Sequence, residues 1–168
     1  MPGIFGFSLR EEYSKSMKEF LKPPFLPPFW LLLSVIAMVS LDQMQGQPVW
    51  IVKPYTHVGW GLIGVGLSVA LYVDLIFKRR GTTILPFRES SALVTTGPFR
   101  ISRNPIYVGM AVALLGLGVM LGTAGPFATV PIFVWVIDRY FIRREEAMLE
   151  AAFGADYREY KTRVRRWI

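Results

Sequence analysis

Four apolar runs decide what this chain can fold into. They occupy residues 24–41, 57–77, 105–122 and 126–142, and each is close to the roughly 20 residues that a helix needs to cross a bilayer. A backbone in lipid must satisfy its own N–H and C=O groups, so runs of this length read as helices. Only three residues, 123–125, separate the last two runs. The third and fourth helices are therefore expected to form an antiparallel hairpin. Gly61, Gly64 and Ser68 are the small residues expected to let a neighbouring helix approach the second run closely.

The rest of the composition agrees with a multi-spanning membrane protein. Of 168 residues, 52% are hydrophobic and 18% charged, and mean hydropathy is +0.38. The length suits one compact unit, residues 1–168. The formal net charge is +7, yet the cations cluster beside the apolar runs instead of spreading over a soluble surface, which argues against nucleic acid. Lys and Arg number four before the first run, one in 42–56, six in 78–104, none in 123–125 and eight from Arg139 onward. The positive-inside rule then puts the N-terminus, the 78–104 loop and the C-terminus in the cytoplasm. The chain has no cysteine and a single histidine, His57. That excludes disulfides and thiolate chemistry, and no metal site is expected.

No signal-peptide pattern is read at the start. Ser8 followed by Glu11 reads instead as a capping box. It would open an amphipathic helix within 1–23 that lies on the membrane surface. After Ile142 the chain is polar but still helical in pattern, with Gly154 read as a helix stop and Asp156 with Glu159 as a new start. The expected architecture is all-α and integral to the membrane: about four spans, an N-terminal amphipathic helix and a C-terminal cytoplasmic helical segment.

Two polar motifs meet at the cytoplasmic end. Asn104-Pro105 is a helix start, with an N-capping amide and a proline whose missing N–H does no harm there. Asn104 and Glu145 each lie about 20 residues from the turn near Ala124, hence roughly 30 Å from it at 1.5 Å per residue. Residues 100–107 (RISRNPIY) and 143–149 (RREEAML) are thus brought level. Arg100, Arg103, Arg139, Arg143, Arg144, Glu145, Glu146, Tyr107 and a helix N-terminus would frame a pocket there. It would suit a ligand that is zwitterionic at one end. Arg79, Arg80 and Arg166 read as orientation charges. Asp74 and Asp138 lie inside or near spans; Asp74 can pair with Lys78 one turn on and Asp138 can snorkel to the interface, and each is also a candidate functional acid.

The stretches GTTILP, LVTTGPFRISRNPIYVG and EEAMLEAAFGADYREYKTRVRRWI resemble the small membrane methyltransferases related to isoprenylcysteine carboxyl methyltransferase and the phospholipid N-methyltransferases. The resemblance runs from about Gly81 to the C-terminus. It implies S-adenosylmethionine as cofactor, held by the half 78–168, with residues 24–77 contributing the first two spans. It implies a lipophilic methyl acceptor entering from the bilayer: an isoprenylcysteine-type carboxylate, a phospholipid amine or a small lipophilic molecule. Gly97, Arg103, Asn104, Pro105, Tyr107, Glu145, Glu146 and Leu149 are the implied cofactor-binding residues, and Arg103, Arg139 and Glu146 the implied catalytic ones. The eukaryotic enzymes usually carry histidine where this chain has Asn104, an amide that can hydrogen-bond but cannot shuttle a proton. NADPH-dependent sterol reductases share part of the pattern and are the alternative enzyme class; a non-catalytic scaffold is the alternative without chemistry.

Overall fold

A computed structural model describes residues 26–44, 46–79 and 93–168. The expected amphipathic helix within 1–23 and the loop around Gly81–Pro86 lie outside the described residues. Helix α1 is Pro27–Asp42, α2 is Val58–Arg79, α3 is Pro105–Leu121 and α4 is Thr129–Ile137. A π-helical turn, Asp138–Ile142, joins α4 without a break to α5, Arg143–Arg163. Short 3₁₀ turns precede α2, α3 and α4. Among the described residues the fold is all-helical, apart from an isolated bridge between Val49 and Thr123. Two helical stretches are long and apolar enough to cross a membrane, Tyr55–Arg79 and Gly125–Arg163; Pro27–Asp42 and Pro105–Leu121 are apolar but shorter.

Helix ends follow local chemistry. Pro27 and Pro105 occupy first-turn positions where an N–H would be unpaired anyway. Gly122 ends α3 at φ 82°, and its N–H returns to the Gly118 carbonyl. Its own carbonyl accepts from Trp50 and Ile51 at 2.8 and 3.0 Å, which straps the 47–51 segment across the turn. Gly154 interrupts α5 as expected: it is a kink at φ 54°, ψ −116°, and the helix resumes beyond it.

Helix α3 is the centre of the bundle. One side packs Tyr107, Ala111 and Leu114 against Met38 of α1 and Val130, Phe133 and Ile137 of α4. The other side meets α2 through glycines seven residues apart on each helix. A Cβ at Gly66 would collide with the Gly109 carbonyl and lie 2.9 Å from Ala113 N; one at Gly116 would lie 2.7 Å from the Gly59 carbonyl. Close backbone approach of this kind gains dispersion contacts where lipid removes the hydrophobic drive for association. The expectation for α2 is therefore corrected by face. Gly59 and Gly66 make the contact, whereas a Cβ at Gly61 or Gly64 would meet nothing within 4 Å. Asp74 pairs with Lys78 at 2.6 Å, as expected.

Candidate functional site

The loop leading into α3 is fixed from both sides. Gly97 has φ 64°, and a Cβ there would sit 3.0 Å from Ile76 Cδ1, so the loop lies against α2. Phe99 meets Phe77 edge-on at 5.9 Å, and its carbonyl accepts from the Tyr160 hydroxyl at 2.6 Å. Residues 102–104 then bind the backbone of the chain's last residues. Arg103 N–H donates to the Arg165 carbonyl at 3.0 Å, while Ser102 Oγ and Asn104 Nδ2 donate to the Arg166 carbonyl at 3.2 and 3.0 Å. Asn104 does occupy the cap position of α3, but its side chain does not cap the helix. Its amide holds the tail instead.

Next to this seam lies an ionic cluster whose centre, Arg103 with Glu146, is buried. Arg103 Nη2 reaches Glu146 Oε1 at 2.7 Å, with the two side chains 9% and 7% exposed. Arg166 grips the same carboxylate, Nη2 to Oε2 at 2.6 Å and Nε to Oε1 at 3.2 Å. Through Nη1 it also reaches Asp138 Oδ1 at 3.2 Å, and Trp167 Nε1 donates to that oxygen at 3.3 Å. Arg143 Nε takes Asp138 Oδ2 at 3.2 Å. Glu146 thus accepts three N–H bonds from two guanidiniums. An ionised carboxylate tolerates burial when it is satisfied in this way. The π turn carries Asp138 at its start and extends directly into the helix of Glu146. Such turns recur where a helix must re-aim a functional side chain.

Glu145 points elsewhere, as adjacent helical positions must. Its Oε1 accepts from the Tyr107 hydroxyl at 2.6 Å, joining the third residue of α3 to α5. Burial pushes this carboxyl from the usual 4.5 up to about 7; the Tyr107 bond opposes that rise and the neighbouring Glu146 charge adds to it. Leu149 is half-buried one turn beyond Glu145. Arg103 retains one buried donor, Nε, without a partner.

The two motifs thus make direct contact through Arg103–Glu146 and Tyr107–Glu145. Pro105 is buried at the helix start and Gly97 shapes the approach. Arg139 sits apart, exposed on the π turn. Sequence reasoning missed Arg166, which stands at the centre of the cluster and is no mere orientation charge. Its neighbour Trp167 lies beyond the end of α5 at Arg163, and nothing in the sequence signalled the turn back to Asp138. No group of metal-ligating side chains occurs among the described residues.

Comparison with known proteins gives a match to the phospholipid methyltransferase family over residues 55–156. An uncharacterized protein of Haemophilus influenzae is 41% identical over 63 residues, which is 38% of this chain and 100% of that one. A probable protein-S-isoprenylcysteine O-methyltransferase of Oryza sativa subsp. indica is 31% identical over 117 residues, 62% of this chain and 60% of the relative. Protein-S-isoprenylcysteine O-methyltransferase B of Arabidopsis thaliana is 32% identical over 117 residues, 62% of this chain and 58% of the relative. The chain therefore spans 60% and 58% of the length of these two methyltransferases. No solved structure matches.

Proposed function

The chain belongs to the phospholipid methyltransferase family, and from that premise we propose that it transfers a methyl group from S-adenosylmethionine to a lipophilic acceptor at the membrane–cytosol boundary. The observation that carries this reading is the direct contact of the two motifs, Tyr107 with Glu145 and Arg103 with Glu146. Their donor set fits the zwitterionic end of the cofactor. Glu146 is already neutralised by Arg103 and Arg166, so Glu145 is the carboxylate with capacity for an ammonium group. The unpartnered Arg103 Nε, with the amide end of α3 beside it, suits the carboxylate.

Bound there, the sulfonium supplies an already activated methyl group with a good leaving group. The protein's task is then to align the acceptor and exclude water. Leu149 and the apolar ends of α1, α3 and α4 serve the second purpose. A carboxylate acceptor needs no general base, only a cation to orient it. An amine or thiol acceptor must in addition lose a proton.

The wider reading follows the same lines. Residues 78–168 are the cofactor-binding half. α1, α2, α3 and the rod that begins at Gly125 are four spans with both termini inside, which the one-sided Lys and Arg distribution supports. The test uses purified protein and radiolabelled S-adenosylmethionine, with an S-isoprenylated cysteine derivative and phosphatidylethanolamine vesicles as parallel acceptors. Label is expected in one lipid product. Binding of NADPH, with no binding of S-adenosylmethionine, would overturn the assignment.

A further inference from the structure

We propose that the outer face of α4 and the π turn binds the headgroup of an anionic phospholipid. Ile132, Trp135, Arg139 and Arg143 recur at helical spacing on one side of the rod, with Tyr140 and Arg144 beside them. All are exposed, Ile132 at 61%, Trp135 at 59% and Tyr140 at 48%. The opposite side, with Phe133, Val136, Ile137 and Phe141, is buried in the bundle, so this face looks outward and meets the ionic cluster only through the Arg143–Asp138 bond.

The order along the axis is a chemical gradient. Ile132 comes first, then Trp135 and Tyr140, whose rings meet edge-on at 6.0 Å with Arg139 between them in sequence, then Arg143 and Arg144. This is the order of hydrocarbon, interface and headgroup in one leaflet. The charges separate the face from an ordinary lipid-facing surface. Arg103 and Arg166 are spent on Glu146 and Asp138. Arg139 and Arg144, by contrast, have no carboxylate partner among the described residues. Arg143 is oriented by the bond from its Nε to Asp138, and its side chain is 56% exposed. Guanidiniums at this depth complement a phosphate diester through paired N–H bonds. A zwitterionic headgroup brings an ammonium that cancels much of that gain, so the occupant is a phospholipid with net negative charge.

The test is native mass spectrometry of the full chain, extracted from bilayers of equal phosphatidylglycerol and phosphatidylcholine. The wild-type protein should retain phosphatidylglycerol preferentially. Arg139→Gln with Arg144→Gln should lower that preference by about five-fold per arginine, with unchanged helical content and unfolding temperature. Arg158→Gln, an exposed cation on α5, should leave it unchanged. The proposal is overturned by equal retention of the two lipids in the wild type, by undiminished preference in the double variant, or by an equal loss in Arg158→Gln. A dimer that carries no lipid and dissociates in the double variant would assign the face to a second copy, and would overturn it too.

Discussion

The α2–α3 contact and the polar cap over the first turn of α3 are built from opposite materials. Between α2 and α3 the closest approach is made by backbone: Gly59 faces Gly116 and Gly66 faces Gly109, with only the Cβ atoms of neighbours such as Ala113 and Leu62 at similar range. At the cap, side chains make most of the contacts. Arg103 reaches 43 residues along the chain to Glu146, and Arg166 reaches 20 back to the same carboxylate. The first region needs only smallness on the correct face. The second needs particular groups, so substitutions there separate stability from chemistry far less cleanly.

The largest expected effect is in the cap. Arg103→Ala strips a buried partner from Glu146 and also a donor from the Lys161 carbonyl. It should lower stability by about 3–5 kcal/mol, read by denaturant or thermal unfolding in detergent. Arg103→Lys keeps the charge but loses the planar fork, and should recover only part of the loss. A near-silent Arg103→Ala would mean that the cap is as tolerant as a solvated surface.

The next effect sharpens the glycine side of the comparison. Gly66→Ala drives a methyl into the α3 backbone and should cost about 1–3 kcal/mol. Gly64→Ala, two residues away and facing open space, should be neutral or stabilising by up to about 1 kcal/mol. Equal effects at the two positions would contradict the packing face. A smaller change is expected from Trp167→Phe, which removes one 3.3 Å bond to Asp138 but keeps an aromatic ring. About 1 kcal/mol is expected, visible as a modest shift in unfolding midpoint.

The same contrast explains what could be read from the sequence. Apolar length and proline or glycine at helix ends placed α1 to α4 within a few residues, because those signals are local. The packing face of α2 was not legible. That helix is apolar all round and carries small residues on two faces, 59 and 66 on one, 61, 64 and 68 on the other. The level of Asn104 and Glu145 followed from helix rise alone, so the meeting of the two motifs was within reach. Arg166 was not. Nothing in a basic tail announces that it turns back after Arg163 in extended conformation and delivers one guanidinium to two carboxylates. For the same reason the Asn104 cap position was readable, whereas its true partner, 62 residues away, was not.

In the proposed mechanism the opening motif of α3 and the Glu-Glu pair form one donor-binding site, with Glu145 receiving the ammonium group. Between the usual 4.5 and about 7 the folded protein keeps a proton on Glu145 that the unfolded chain has released. The stability gained from that proton is fully present below the window and is lost as pH rises through it. Capture of an ammonium group needs the ionised form, so ligand affinity must change in the opposite direction. The direct measurement is calorimetric titration of S-adenosylhomocysteine at pH values on both sides of 7. In the wild type, affinity should climb with pH and level off above that value. Tyr107→Phe removes the bond that holds the carboxyl down, so its rise should move to higher pH. Glu145→Gln should bind about 10-fold or more weakly, as expected for a lost charge-assisted contact, and show no such rise. Equal affinity of wild type and Glu145→Gln, flat across the same pH range in folded protein, would contradict the account.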